Sequence, residues 1–290
     1  MIEIVNAKIN IGLQIVRRRQ DGYHDLQTIF YPVGRFAGLP ENPESFCDIL
    51  EVIPTELDSE LQFNFCGNTV NCEPEKNLVV RAAKSILSGR TLNCGCEIYL
   101  DKHIPDGAGL GGGSADASFT LKSLNKLLPE PLSKEALAEL ALELGADCPF
   151  FIYNSPMFAS GVGEKLEDIP LDLTGYWIVI AKPDVYISTR EAFAGVDPKE
   201  SDFDLRTLPD IPVESWQGIV KNDFEDSIFP HHGELRELKE EMLRLGALYS
   251  SMSGSGSSIY GIFRNYDLAN NAKSSLRSYP TIEGVYLLKL

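Results

Sequence analysis

Positive charge is scarce. The 290 residues carry 26 Lys and Arg against 42 Asp and Glu, a formal −16, and apart from Arg17-Arg18-Arg19 there is no basic run. Neutralising a phosphate backbone or an anionic membrane takes a basic surface, so the composition argues against nucleic acid and membrane as partners. Long apolar runs are also lacking, and none reaches the ~18 residues that a membrane-spanning helix requires. Met1-Ile2-Glu3 opens with neither a basic nor an apolar leader, from which a cytoplasmic location is expected. The six cysteines (Cys47, Cys66, Cys72, Cys94, Cys96 and Cys148) form no CxxC pair and no Cys/His zinc spacing, so reduced, mostly buried thiols are expected. Repeats and low-complexity tracts are missing too. What is present is ordinary for a soluble globular chain, 43% hydrophobic and 23% charged. Its length corresponds to about two domains.

The first residues alternate: Val5, Ala7, Ile9, Ile11, Leu13 and Ile15 are apolar, while Asn6, Lys8, Asn10, Gly12 and Gln14 are not. This predicts a long strand with one face on the core and with Lys8 and Asn10 together on the other, by default a solvated face. After an Asp21-Gly22 turn, Leu26 to Val33 resumes strand character. A strand near Cys96 to Leu100 leads into a glycine-rich loop, then a helix from about Ser114. A second helix is expected after Ser133 as N-cap, ending at Gly145. Beyond a domain boundary placed near Gly163, the pattern reads strand (Trp177 to Ala181), helix (Thr189 to Ala194), a Pro-rich acidic loop and helix (Leu235 to Leu245). Strands near Leu248 and Ile259 to Phe263, a helix (Leu268 to Leu276) and a strand (Gly284 to Leu288) complete it. Strands and helices alternate in both halves, so the class is α+β with layered sheets.

The strongest local signal is Ile104-Pro105-Asp106-Gly107-Ala108-Gly109-Leu110-Gly111-Gly112-Gly113-Ser114-Ala115-Asp116-Ala117-Ser118, in which five of seven consecutive positions are glycine. Glycine at that density disfavours any regular element but suits a loop whose backbone N–H groups turn toward an anion. At a helix N-terminus the macrodipole adds to this, making a phosphate site. A Walker A loop would end Gly-Lys-Ser/Thr, and no lysine is present. GxGxxG is matched by Gly107, Gly109 and Gly112, but where a Rossmann unit closes a second strand on an acidic residue this chain has Pro129-Glu130-Pro131 between helices. The HRD and DFG signatures of protein kinases do not occur.

Pro105 to Ala117 resembles the phosphate-binding motif of the GHMP kinases. Together with Ala7-Lys8-Ile9-Asn10, Asp21-Gly22-Tyr23-His24, Leu26-Gln27-Thr28, Gly145-Ala146-Asp147-Cys148-Pro149-Phe150-Phe151 and Ser253-Gly254-Ser255-Gly256-Ser257, it is similar to the branch acting on 4-diphosphocytidyl-2-C-methyl-D-erythritol in non-mevalonate isoprenoid synthesis. The resemblance implies a two-domain fold, residues 1–163 being ribosomal-protein-S5-like and residues 164–290 ferredoxin-like. It implies ATP, as Mg-ATP, as phosphate donor, residues 105–115 as its cradle, and phosphorylation of the substrate's 2-hydroxyl.

The same resemblance makes Lys8 and Asp147 the catalytic pair, Asp147 taking the hydroxyl proton. From the residues alone, an Asp just past a helix is a turn residue as readily. The resemblance also assigns Tyr23, His24, Asn10, Thr189 and Phe193 to the substrate, His24 by hydrogen bonding to the base and Phe193 by stacking on it. Lys102 is a second candidate cation, expected among the substrate contacts, and Ser114 either caps its helix or touches a phosphate or the metal. A monomer or weak homodimer is expected. Two other readings stay open: a homoserine- or mevalonate-type kinase, against which the DGYH segment argues, and a non-catalytic nucleotide binder, against which the Lys8 and Asp147 pair argues. Residues 1 to 35 hold five basic and three acidic side chains, so a positive excess coincides with the strand and turn expected to meet a diphosphate.

Overall fold

The opening alternation produces a 17-residue strand, β1 (Ile2–Arg18). The computed structural model describes residues 1–34, 46–56, 61–69, 72–90 and 92–290. After β1 come β2 (His24–Val33), β3 (Cys47–Thr55), β4 (Gln62–Gly67), α1 (Leu78–Leu87), β5 (Gly95–Lys102), α2 (Gly112–Asn125), α3 (Lys134–Leu142) and α4 (Cys148–Tyr153). The remainder runs β6 (Met157–Ser160), β7 (Lys165–Asp168), β8 (Trp177–Pro183), α5 (Thr189–Ala194), α6 (Phe224–Ile228) and α7 (Gly233–Arg244). It closes with β9 (Tyr249–Met252), β10 (Ile259–Phe263), α8 (Tyr266–Leu276) and β11 (Ile282–Lys289). Among the described residues no helix is long and apolar enough to cross a membrane.

Two compact units form. The first comprises Met1–Ala7, Arg35–Asp106 and Gly111–Ser155; the second comprises Lys8–Gly34, Gly107–Leu110 and Pro156–Leu290. Compactness therefore does not divide the chain once near Gly163. A side-chain alternation announces a strand but not where along it the neighbours change, and β1 gives its first residues to one unit and the rest to the other.

In the first unit the strand order is β4-β5-β3-β1, with β4 parallel to β5 and the other pairs antiparallel. Helix α1 starts where the Asn77 side chain accepts from Val79 N at 2.9 Å, and it buries Val79, Val80, Ala83 and Ile86 on one face. Ser133 caps α3 as expected, accepting from Ala136 N at 3.2 Å, but the helix ends at Leu142 and Gly145 lies beyond its last turn.

In the second unit the rest of β1 continues the order through β2, β6 and β7, and a separate antiparallel sheet runs β11-β8-β10-β9. Its core joins Ile15 of β1 to Val179, Ala181, Leu235, Met242, Phe263, Ala272 and Leu276. Each Val, Leu, Ile, Met or Phe side chain among them withdrawn from water contributes roughly 1.5–3 kcal/mol. The acidic, Pro-rich stretch read as a loop contains α6, whose Phe224 and Ile228 are buried.

Three of the six thiols, Cys47, Cys96 and Cys148, are buried, but Cys66 and Cys72 are exposed and Cys94 is intermediate. All six are free, so the expectation of mostly buried thiols holds for half of them.

Candidate active site

The polar face of β1 is not solvated. Lys8 and Asn10 are each only 3% exposed, so the strand is buried on both faces along this stretch. A buried ammonium needs hydrogen-bond and electrostatic partners. Lys8 Nζ donates to Asn10 Oδ1 at 2.6 Å and lies 5.0 Å from the centre of the Phe30 ring. Asn10 Nδ2 in turn donates to Thr28 Oγ1 at 3.0 Å, and the threonine hydroxyl donates to Gly12 O at 2.5 Å.

Further bonds within the second unit join this strand to two glycine-rich segments. Lys8 N–H donates to Leu110 O at 3.0 Å, and Asn10 N–H to Ser253 Oγ at 3.3 Å. Ser253 Oγ itself donates to Gly109 O at 2.9 Å, while Ser258 N–H donates to Ala108 O at 3.3 Å. The Tyr260 hydroxyl donates to Asn10 O at 2.8 Å. Gly109 is left-handed, with φ +75°, and a Cβ there would collide with the Ser253 carbonyl oxygen, so only glycine allows the approach. Thr28 and Tyr260 are two builders of this network that sequence reasoning gives no role. Thr28 ends the Leu26-Gln27-Thr28 segment that carries the family resemblance, and its place on a strand otherwise buried and apolar toward its end was the signal for a role.

At the far end of β2, His24 stacks on Phe193, with ring centres 4.7 Å apart and planes 16° from parallel. Burial, then the Arg18 charge, hold the imidazole below its ordinary value of 6.5, so it is neutral at pH 7. Phe193 belongs to α5, which is capped by Ser188 accepting from Glu191 N at 3.1 Å. Thr189 is exposed at the first turn of that helix, and Tyr23 is exposed in the turn before β2. The positive excess of the first residues is largely consumed locally: Arg17 pairs with Asp25, and Arg19 with both Asp21 and Asp25.

In the first unit, α2 begins at Gly112 with Gly111 as a cap that has no side-chain hydrogen bond, so its first turn is left to backbone donors. Ser114 lies within that turn and does not cap the helix. Asp147 occupies the cap position of α4, half-buried, and its carboxylate makes no capping bond.

Lys102 has partners unlike those of a substrate contact. Its ammonium sits between two buried carboxylates, 2.6 Å from Asp48 Oδ2 and 2.8 Å from Asp116 Oδ2. Asp48 Oδ1 also accepts from His103 N at 2.6 Å and Ile104 N at 2.8 Å, whereas Asp116 Oδ1 is buried with no partner. Burial, reinforced by Asp48 and opposed by Lys102, pushes the Asp116 carboxyl well above its ordinary value. Burial pulls Lys102 down, but the two carboxylates outweigh it and hold the lysine above its usual value. This triad ties the strand before the glycine loop to the helix after it. Beside it opens a cavity of about 270 Å³ lined by residues that include Phe65, Cys66, Cys72, Asn77 and Lys102.

Residues 77–155 match the GHMP kinases N terminal domain and residues 204–281 the GHMP kinases C terminal domain. A 4-diphosphocytidyl-2-C-methyl-D-erythritol kinase of Bacteroides thetaiotaomicron is 48% identical over 264 residues, covering 91% of this chain and 92% of its own. The chain belongs to the 4-diphosphocytidyl-2-C-methyl-D-erythritol kinase family of GHMP kinases. A relative of the same description from Porphyromonas gingivalis is 42% identical over 91% of this chain and 92% of its own. The crystal structure of a 4-(cytidine 5'-diphospho)-2C-methyl-D-erythritol kinase superposes with a TM-score of 0.83 at 32% identity, covering 99% of this chain and 98% of that one. Homoserine kinase from Cytophaga hutchinsonii, at 20% identity and a TM-score of 0.63 over 99% of this chain and 95% of that one, shares the fold alone. As a GHMP kinase the chain is an ATP-dependent small-molecule kinase.

Proposed function

We propose that the chain phosphorylates the 2-hydroxyl of 4-diphosphocytidyl-2-C-methyl-D-erythritol, a step of non-mevalonate isoprenoid synthesis. The observation that carries this reading is the Lys8 network. A buried, oriented ammonium is hydrogen-bonded through Asn10 and Ser253 to Gly109 of the phosphate loop. Phosphoryl transfer asks mainly for positioning and for positive charge near the moving group. Lys8 supplies that charge at a fixed place, and residues 105–115 supply neutral backbone donors for phosphate oxygens. Asp147 orients the substrate hydroxyl and accepts its proton as the oxygen attacks phosphorus. His24, Tyr23, Phe193 and Thr189 hold the cytidine end, and Asn10 both aims Lys8 and contacts substrate.

ATP supplies the phosphoryl group, and Mg²⁺ arrives with it to neutralise the phosphates. Among the described residues no group of three or more His, Cys, Asp or Glu is poised to hold a metal, and Ser114, in the first turn of α2, is the hydroxyl we assign to meet the Mg²⁺ of Mg-ATP. The proposal has the enzyme act in the cytoplasm as a monomer or weak homodimer, with 1–163 and 164–290 as its GHMP domains.

The test is ADP release by purified protein with Mg-ATP and a panel of alcohols, repeated with Asp147→Asn. Release with the cytidyl diphosphate substrate, abolished or cut by about 10²-fold or more in the variant, is expected. Release only with homoserine or mevalonate refutes the substrate. Wild-type turnover by Asp147→Asn refutes the role given to the carboxylate.

A further inference from the structure

Asn222-Asp223-Phe224-Glu225, leading into α6, belongs to none of the motifs above, yet every one of its side chains is engaged. Asn222 is 2% exposed and donates through Nδ2 to Met252 O and Gly254 O, both at 2.8 Å. Those carbonyls flank Ser253, whose hydroxyl bridges Asn10 and Gly109. Asp223 accepts from Ile15 N at 2.7 Å and its own N–H donates to Leu13 O at 2.8 Å, fastening the tetrapeptide to the strand that bears Lys8. Phe224 meets Phe193 edge to face, centres 4.8 Å apart, behind the ring stacked on His24. Glu225 accepts from Met252 N at 2.9 Å and Ser251 Oγ at 3.0 Å, and is held by Lys239 at 2.5 Å.

Four consecutive residues thus touch both ends of the site within one unit. We propose that Asn222 to Glu225 is a positioning element that keeps the Ser253–Gly254 segment and the Phe193 ring in register with β1, so that phosphate loop, Lys8 and base contact are set together. Gly254 supports this, being left-handed at φ +56° with room for a Cβ only 3.3 Å from Asn10 Oδ1 and Gly109 O, a fit that tolerates little displacement. A buried amide donor facing two carbonyls is also costly to lose, since Met252 O and Gly254 O each forfeit a hydrogen bond, Met252 O retaining one from Ser251 Oγ at 3.4 Å. The proposal rests on the kinase reading above for its kinetic readout, but not for its structural one.

Two variants separate the two ends. Asn222→Ala lets the Ser253 segment drift and is expected to lower kcat by about 10²-fold, as sub-ångström to ångström misplacement does, with KM for the cytidyl diphosphate substrate changed by no more than about twofold. Phe224→Leu removes the edge contact to Phe193 and is expected to raise that KM about tenfold with kcat within about threefold. A merely structural role predicts instead that each variant loses activity in proportion to folded protein, with kcat and KM per folded molecule unmoved, which would overturn the proposal. Amide hydrogen exchange reads the same idea without substrate. In Asn222→Ala the Asn10 and Ser258 amides should lose protection while those of Ile180 and Ile262 keep it; unchanged protection at Asn10 and Ser258 also overturns the proposal. Asn222→Ser, which retains one donor, is the substitute if the alanine variant does not fold, and its exchange pattern and kcat should fall between wild type and full loss. If the wild type releases no ADP with the cytidyl substrate, the functional reading fails, and exchange alone then decides the positioning role.

Discussion

Replacing Lys102 by Met tests the buried triad directly. The lysine side chain is 4% exposed, and its partners Asp48 and Asp116 are 0% and 4% exposed, so the substitution strands two carboxylates away from water. The burden falls unequally: Asp48 keeps its bonds from His103 and Ile104 N–H groups, whereas Asp116 loses its lysine and already has one oxygen without a partner. Breaking a buried pair from one side costs about 3–5 kcal/mol, and that is the loss expected near neutral pH. The pH dependence has a definite sign. Burial already raises the Asp116 carboxyl above its ordinary 3.8, so the folded state binds its proton more tightly than the unfolded state does. Stability from that proton is gained as pH falls through the folded value and absent above it. Without Lys102 the upward displacement grows, so the deficit should be widest near pH 8 and narrow toward pH 5. Adding Asp116→Asn to Lys102→Met should recover part of the loss by removing the stranded charge. Both tryptophans, Trp177 and Trp216, lie in the second unit, so urea unfolding is best followed by far-ultraviolet circular dichroism. A Lys102→Met protein within about 1 kcal/mol of wild type, or a deficit equal at both pH values, refutes the account.

Gly109→Ala should abolish turnover, because the left-handed backbone penalises a Cβ by roughly 1–2 kcal/mol and the Ser253 carbonyl stands in its place; Gly233→Ala, with nothing within 4 Å, should melt and turn over like wild type. The His232 imidazole is 2.9 Å from Glu191 and 3.5 Å from Glu234, and the Glu191 hydrogen bond raises it above 6.5 against burial. Its contribution should be complete below 6.5 and vanish as pH rises through the raised value, so the melting temperature of wild type should fall from pH 6 to pH 8 by more than that of His232→Gln; equal falls contradict this. With Ellman's reagent, Cys66 and Cys72 should react first, Cys94 more slowly, and Cys47, Cys96 and Cys148 only after unfolding, since burial also pushes the Cys96 and Cys148 thiols up to about 11. Mass mapping of the labelled peptides checks the order.

Much of the fold could be read from the chain: β1 from its alternation, α5 from Thr189 to Ala194, and α7 and α8 from their apolar stripes. Helix α1 went unread although Val79, Val80, Ala83 and Ile86 form a stripe behind the Asn77 cap, while α6 offered little to read, since five residues hold too little periodicity. Lys8 and Asn10 were identified as sharing a face, but alternation cannot say what covers that face. The cover comes from Ser253 and Tyr260, 243 and 250 residues from Asn10. Lys102 illustrates the same limit in reverse: a lysine before a phosphate loop reads as a ligand contact until Asp48, 54 residues away, is seen to share it. Local pattern carries residue type and orientation, and long-range closure decides employment.

The His24 and Phe193 stack has a consequence for affinity. The two rings already satisfy each other at 4.7 Å, so if Phe193 stacks on cytosine as proposed, the base must first part them. Forfeiting an aromatic pair costs about 0.5–1.5 kcal/mol, which weakens apparent binding by roughly two- to twelvefold relative to a site whose rings stood open. On the role proposed for Phe193, the protein thus carries an internal rival for its own ligand, one that covers the ring face between turnovers and sets a threshold against weakly stacking compounds.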